Sequence, residues 1–491
     1  MAATTPSRSR LSKLVLAAAL FALIAAVRLP FIGNVLAGEE GDFAALVLDD
    51  VPTSVVSPTH LPRDQIGFID GKPVLTSFHR TAMPYIILER LGRAVAARHA
   101  LGRLPTEQLT VAARLPFSII FLLGIVGPLT LTVLAASDGR GPGVAAMAAP
   151  LGIALWSLTT PLAVGASIEP QIDGSVGTLL LGTAASLLVL GDIENRSTRW
   201  RFLVAGLLAG LGKHEWALAF AAAALGAFLI SWFVSSLRRQ TAVALAAFFV
   251  GLAVAVAVSY AVSPVDYRDG FRVMARFYSR TGGHLWALEP PQLPFTMPVV
   301  ALVAADGILL LMALRPLART APGLLLAYLG ASAITAGYIV SGWPGDFFPR
   351  YFTPPLIIAA VVFAALWRRS KDDIAPAAAW IVVACAVLGL AANFLFLAKC
   401  YDGKVALTSF RGTPLAQLRE NADAAAQMWR DSKGGVVFTF TPTWIYHQGI
   451  SYISAGLQKY EAEEHIETLY PAYKGRIVYP PDRLLYPLPP Q

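Results

Sequence analysis

The sequence RLPFIGNVLAGEEGDFA, residues 28–44, leads out of an apolar segment directly into a group of carboxylates. Glu39, Glu40 and Asp42 follow one another closely at the point where a membrane surface is expected. A solvated acidic loop is one interpretation, since runs of charge usually lie on solvated faces. A carboxylate site at the membrane surface is the other, and the rest of the chain favours it.

The composition is that of a membrane protein. The chain has 491 residues, of which 56% are hydrophobic and 14% charged, and its mean hydropathy is +0.58. Soluble domains average about 25% charged residues. The net charge of +8 is dispersed over short loops, which is typical of cytoplasmic loops, so we expect no nucleic-acid partner. The alanine-rich, lysine-poor composition indicates a GC-rich bacterium, and hence its cytoplasmic (inner) membrane.

Apolar segments along the chain predict an α-helical polytopic membrane protein. Most of them approach the ~20 residues that a bilayer core demands. They lie at about 13–32, 111–136, 143–160, 174–191, 202–212, 215–234, 241–262, 296–314, 320–340, 353–367 and 376–398.

The pair 202–212 and 215–234 decides the number of crossings, because Lys213-His214-Glu215 interrupts the apolar run. If the pair is a single crossing, every loop after residue 234 changes sides, and three basic loops face outward, against the positive-inside rule. Counted as two crossings, the pair makes every short inside loop basic. We therefore predict about eleven transmembrane helices, with an uncleaved first span and a cytoplasmic N-terminus.

This topology predicts large extracytoplasmic loops at 33–110 and 263–295 and an extracytoplasmic C-terminus. The chain divides into a transmembrane domain at 1–398, which includes those loops, and a small C-terminal α/β domain at 399–491. Within the small domain, the pattern predicts a strand at 436–440 and helices at 415–429 and 455–469.

The distinctive polar side chains fall on the predicted outer side, whereas the apolar segments are nearly free of charge. A carrier would be expected to bury polar residues near the membrane centre. The distribution therefore favours an enzyme at the outer surface. The alternative is a multi-span transporter or lipid flippase with an outward-facing polar vestibule.

A basic stripe in the second outer loop is formed by Arg268, Arg272, Arg276 and Arg280, which are spaced four residues apart. On a helix such residues lie on one face. One interpretation is a helix that rests on anionic lipid headgroups. The other is a phosphate site, since arginine suits bidentate phosphate binding.

Short motifs occur in a fixed order over about residues 10–370. The motifs are Arg28-Leu29-Pro30, Glu39-Glu40-Gly41-Asp42-Phe43-Ala44, Arg114-Leu115-Pro116-Phe117-Ser118, Ala166-Ser167-Ile168-Glu169 with Asp173, Gly210-Leu211-Gly212-Lys213, Arg276-Phe277 with His284, and Arg350-Tyr351-Phe352-Thr353-Pro354-Pro355. Their order resembles the GT-C type membrane glycosyltransferases that use polyprenyl-phosphate sugars, in particular the protein O-mannosyltransferase and lipid A aminoarabinose transferase group.

The chain departs from this family pattern at three points. Glu39 stands where the family has aspartate, the arginine usually found near Asp173 is missing, and the glycine-to-Lys213 turn is shorter by two residues. The first departure leaves open whether Glu39 or Glu40 is the base.

The resemblance implies transfer of a sugar, with inversion, from a polyprenyl phosphate to a glycan, lipid or protein acceptor. Glu39 or Glu40 is the implied general base, and Asp42 or Asp173 orients the acceptor or the sugar. The implied substrate-binding residues are Lys213, Arg276 and Arg350 at the phosphate, with His79, Glu169, His214, His284 and Tyr351. Beyond the lipid-linked donor no cofactor is implied. Clustered carboxylates suit a divalent cation, but no Asp-x-Asp motif defines a metal site.

Overall fold

The computed structural model describes residues 6–33, 65–69, 72–76, 106–137, 144–168, 172–191, 195–234, 238–262, 268, 272, 293–341, 349–370 and 374–402. In the tail it describes 404, 407, 424, 427, 428, 430, 431, 436–439, 452–454, 466–469, 471 and 474–478.

Every apolar segment predicted from the sequence is helical, which confirms the α-helical polytopic class. Two runs of π-helical turns, at Ile172–Val176 and Thr178–Gly182, lead into α6. The helices are α1 (Pro6–Ala26), α2 (Thr106–Gly124), α3 (Val126–Ser137), α4 (Val144–Leu158), α5 (Pro161–Ile168), α6 (Thr183–Val189), α7 (Trp200–Leu211), α8 (His214–Val234), α9 (Arg238–Val262), α10 (Leu293–Thr320), α11 (Pro322–Ser341), α12 (Thr353–Ser370) and α13 (Pro376–Tyr401).

Length and apolarity identify six of the described helices as candidate membrane spans. A seventh forms if α4 and α5, which meet at an angle of 52°, count as one span. The apolar helices at Asp173–Val189, Trp200–Leu211 and Met297–Leu311 are shorter. The total of about eleven crossings stays a prediction.

The interrupted pair around Lys213 consists of two separate helices, α7 and α8. Helix α9 packs on α7 so closely that a Cβ on Gly206 would lie 2.0 Å from the carbonyl oxygen of Phe248. A Cβ on Gly251 would come equally close to the carbonyl oxygen of Leu203. A Cβ on Gly210 would lie 2.7 Å from the Cβ of Ala255. Because the contacts advance in the same direction along both helices, α7 and α9 are parallel, and α8 between them runs back. This is the arrangement that two crossings require.

We expect Gly206→Ala and Gly251→Ala each to destabilise the protein, even though alanine is the better helix former. The new Cβ would meet backbone atoms that cannot move aside, and such overpacking costs about 1–3 kcal/mol. Gly337→Ala is the matched control, because it is exposed on α11 with no atom within 4 Å of a Cβ. We expect this variant to gain up to about 1 kcal/mol. Thermal denaturation in detergent measures all three, and an equal shift for all would contradict close α7–α9 packing.

Helix α12 lies at the centre of the bundle. Each of its residues from Thr353 to Trp367 is buried, and it packs against α10, α11, α3 and α4. A helix that is apolar all round is expected in the interior of a bundle. Its two ends, at Tyr351–Phe352 and at Arg368–Arg369, therefore mark opposite ends of the molecule.

Two small sheets lie outside the bundle. β1 (Gln65–Ile69) and β2 (Lys72–Thr76) pair antiparallel, with Ile69 opposite Lys72. In the tail, β3 (Val436–Thr439) lies between β4 (Tyr452–Ser454) and β5 (Ile477–Val478), and both pairings are parallel. The strand predicted at 436–440 is thus confirmed, and α14 (Ile466–Leu469) falls within a predicted helix. The helix predicted at 415–429 lies largely outside the described residues, and the domain boundary stays a prediction.

Asp306 is an exception to the charge-free apolar segments. It lies in α10 on the same face as Val299, Leu302 and Leu310, and it is fully buried. Neither carboxylate oxygen has a hydrogen-bond partner in the described part of the chain. A buried polar group of this kind is costly, and in a membrane protein it is a functional candidate.

Candidate functional site

Three residues, each near the start of a helical segment, lie together at one end of the bundle. Asp173 lies in the π-helical turns that follow α5, and Lys213 lies in the link between α7 and α8. Tyr351 belongs to the 3₁₀ turn before α12. The Nζ atom of Lys213 lies 2.5 Å from Oδ1 of Asp173, and both side chains are buried.

Aromatic rings surround this ion pair. The Lys213 ammonium lies 4.3 Å from the ring centroid of Tyr351 and 5.9 Å from that of Trp216, which are cation–π distances. Trp216 donates a hydrogen bond from Nε1 to the Tyr338 hydroxyl at 3.0 Å, and Tyr338 stacks on Tyr351 with centroids 5.2 Å apart. We call these four residues, together with Asp173, the Lys213 cage.

Two glycines allow the cage to close. A Cβ on Gly212 would lie 2.1 Å from the ring of Trp216, so only glycine leaves room for the indole beside Lys213. A Cβ on Gly174 would lie 1.9 Å from the carbonyl oxygen of Ala166, so the turn that carries Asp173 packs directly against α5.

The cage is suited to an anion. Lys213 immediately precedes α8, and its carbonyl oxygen accepts the hydrogen bond of Ala217 in the first turn. The positive end of the helix dipole therefore acts together with the ammonium group. Asp173 neutralises Lys213 in the absence of a ligand, because a buried lysine without a counterion is strongly unfavourable.

An apolar cavity of about 200 Å³ adjoins the cage between α8 and α11. Trp216 and Tyr338 belong both to the cage and to the cavity wall. Glu215 is the charged residue among those that line it. The full lining is Glu215, Trp216, Ala219, Ala333, Ile334, Gly337 and Tyr338. The Lys213 cage and an apolar cavity thus share one aromatic wall.

Arg28 joins α1 to α4 and α5 at the bend between the last two. It is 1% exposed, and its Nε donates to Ser167 Oγ at 2.8 Å. The two Nη atoms donate to the carbonyl oxygens of Ile24 at 2.6 Å and Leu158 at 2.9 Å, and the guanidinium lies 4.5 Å from the Phe121 ring centroid. Leu158 ends α4, where carbonyl groups lack intrahelical partners. Arg28 therefore acts as a structural clamp at the α4–α5 bend.

Arg114 is the second buried arginine of this region. It is fully buried in α2 and donates from Nη1 to the carbonyl oxygen of Ile32 at 2.9 Å. Arg28 and Arg114, the arginines of the two Arg-Leu-Pro motifs, thus both donate hydrogen bonds to backbone carbonyl groups at the end of α1 or just after it.

The structure brings together four of the predicted site residues. Asp173, Lys213 and Tyr351 form part of the cage, and His214 is buried beside Lys213. Arg350 lies in the turn Pro349–Phe352, and its side chain is not described. Seven predicted site residues lie outside the described residues: Glu39, Glu40, Asp42, His79, Glu169, Arg276 and His284.

Sequence reasoning missed Trp216 and Tyr338. Trp216 follows Lys213 by three residues, a spacing that places two side chains on one helix face, so it could have been found. Tyr338 lies 122 residues from Trp216 in an apolar helix, and no local pattern marks it. In the described ranges no group of three or more histidine, cysteine or acidic residues lies close enough together to hold a metal ion.

Comparison with known proteins identifies the fold. No family model matches the chain, and no curated protein matches its sequence. The crystal structure of ArnT from Cupriavidus metallidurans bound to undecaprenyl phosphate is similar, with a TM-score of 0.51 and 14% sequence identity over 97% of this chain and 90% of that one. At this identity the likeness shows a shared fold. The chain therefore shares its polytopic fold with this ArnT structure.

Proposed function

We propose that this protein transfers a sugar, with inversion, from a polyprenyl-phosphate donor to an acceptor at the extracytoplasmic face of the membrane. The observation that carries the proposal is the position of the Lys213 cage beside an apolar cavity. A prenyl phosphate has the same division into an anionic head and an apolar tail. The undecaprenyl phosphate bound to the similar ArnT structure supports this class of lipid.

The donor phosphate would bind at Lys213 and replace Asp173 as the partner of the ammonium group. Arg276 and Arg350 are the proposed further cations, with His79, His214 and His284 near them. The first isoprene units would lie against Trp216 in the cavity. Such cations stabilise the charge that develops on the departing phosphate, which is usually the largest single contribution to catalysis.

In the transfer step, the acceptor nucleophile attacks the anomeric carbon while the bond from that carbon to the phosphate oxygen breaks. The bonding pair leaves with the polyprenyl phosphate, and a carboxylate takes the proton of the nucleophile. Glu39 or Glu40 is the proposed base, and Asp42 or the displaced Asp173 would orient acceptor or sugar. Glu169 and Tyr351 are proposed to complete the substrate site. The acceptor class is a glycan, a lipid or a protein hydroxyl.

We expect the double variant Glu39→Gln/Glu40→Gln to lose transfer by about 10²–10⁴-fold, because a positioned general base contributes that much. The assay uses purified protein, a panel of radiolabelled polyprenyl-phosphate sugars and membrane extract as the acceptor source. It measures released polyprenyl phosphate. Asp402→Asn, an exposed carboxylate at the end of α13, is the matched control and should keep full activity.

Asp306 is the observation that favours the second candidate, a lipid carrier. Asp306→Asn removes the charge of a buried carboxylate of α10, whose oxygens have no hydrogen-bond partner in the described part of the chain. A transferase should keep sugar transfer in this variant. Absence of release from every donor by folded wild-type protein, together with lipid movement in vesicles that Asp306→Asn abolishes, would replace the transferase by the carrier.

A further inference from the structure

A second cavity lies at the end of the bundle opposite the Lys213 cage. Its volume is about 260 Å³, and its walls are apolar residues of α3, α12 and the end of α6, among them Leu131, Leu190 and Ala365. Arg368 and Arg369, in the last turn of α12, lie at its rim. They follow the beginning of α12 by about 22 Å along the helix axis, so this cavity is separate from the cage.

A third arginine is hydrogen-bonded to the backbone of a residue that lines this cavity. The guanidinium of Arg201 donates a hydrogen bond to the carbonyl oxygen of Leu190, which lines the cavity. Two arginines of α12 thus line the apolar opening, and a third, from α7, is hydrogen-bonded to the backbone of a lining residue. Arg368 and Arg369 also interact within the protein, and a ligand at this place would meet both the apolar walls of the cavity and the local positive charge.

The surroundings of this cavity are those of a membrane interface. The positive-inside rule assigns this end of the bundle to the cytoplasmic side, where the leaflet is rich in anionic lipids. Basic pockets between transmembrane helices on that side are suited to phospholipid headgroups. The neighbouring acidic residues Asp192, Glu194, Asp372 and Asp373 lie outside the described residues.

We propose that this cavity binds an anionic phospholipid of the inner leaflet. The arginines would hold the headgroup phosphate, and part of an acyl chain would lie against Leu131 and Leu190. A free phosphate ion would use the charge but leave the apolar walls uncovered, so the membrane lipid matches the cavity better. The proposal is independent of the donor site at Lys213.

The test compares two pairs of arginines that carry the same charge at the same predicted side. Purified full-length protein in detergent is titrated with phosphatidylglycerol and with phosphatidylcholine, and bound lipid is counted by native mass spectrometry. We expect Arg368→Gln/Arg369→Gln to weaken phosphatidylglycerol binding by about tenfold or more, since each basic residue contributes severalfold. Arg238→Gln/Arg239→Gln, at the exposed start of α9, should leave it unchanged.

A second variant leaves all the arginines in place. Leu190 lines the cavity, and its side chain is 37% exposed. Leu190→Trp would fill part of the cavity with a larger side chain and should abolish phosphatidylglycerol binding. The proposal would be overturned if both double arginine variants lost phosphatidylglycerol binding equally, or if Leu190→Trp bound phosphatidylglycerol like the wild type. So would competition by millimolar inorganic phosphate, which would point to a free anion. Polyprenyl phosphate binding at the cage should remain normal in every variant, which separates this site from the proposed donor site.

Discussion

Replacing Lys213 by methionine is expected to lower the free energy of unfolding by about 3–5 kcal/mol, because Asp173 then remains as a buried charge without its counterion. Both side chains are almost inaccessible to solvent, and their charged atoms are 2.5 Å apart. The double variant Lys213→Met/Asp173→Asn removes both charges and nearly keeps both shapes. We expect it to regain most of the lost stability, since replacing a whole buried pair is often neutral.

The double variant also separates stability from function. If Lys213 holds the donor phosphate, the folded double variant should lose transfer by about 10²–10³-fold, the effect of removing one group that stabilises developing charge. Thermal denaturation in detergent and release of polyprenyl phosphate are measured on the same preparations. Full activity in a stable double variant would show that the pair is purely structural. If the double variant were as unstable as Lys213→Met, the loss of stability would come from altered packing in the cage and not from the unpaired charge of Asp173.

Replacing Arg28 by methionine is expected to lower the free energy of unfolding about as much as replacing Lys213, by about 3 kcal/mol or more. Its guanidinium makes hydrogen bonds to Ser167 Oγ and to the carbonyl oxygens of Ile24 and Leu158. A hydrogen bond to a charged group contributes about 1.5–3 kcal/mol. Within a membrane no water replaces a lost donor, so the Leu158 carbonyl at the α4–α5 bend would be left without its partner.

Arg28→Lys tests whether charge alone suffices. Lysine keeps the charge but lacks the planar fork that reaches three acceptors, so we expect most of the loss to persist. Arg238→Met is the control, since this exposed arginine packs on Trp232 at the surface and its loss should change stability by about 0.5 kcal/mol or less. Denaturation in detergent measures all three variants. A lysine variant with native stability would refute the clamp.

The site was predictable from the sequence only in part. Asp173, Lys213 and Tyr351 came from ordered motifs and from the resemblance, and the structure brings these three together. Neither source indicated that Asp173 pairs with Lys213, because the two residues lie far apart in the chain. Asp306 was overlooked, because one acidic residue hardly changes the apolarity of a long helix.

The sequence by itself determined the helices and the class of the fold, because each membrane helix satisfies its own backbone hydrogen bonds and is recognised by local apolarity alone. It also determined that Lys213 interrupts an apolar run. Only the tertiary structure decided that α7 and α9 are in close contact at their glycines, that Tyr338 and Tyr351 stack beside Lys213, and that Arg28 holds the α4–α5 bend. These contacts join residues far apart in the chain, and they depend on how whole helices pack, which no local pattern of residues encodes.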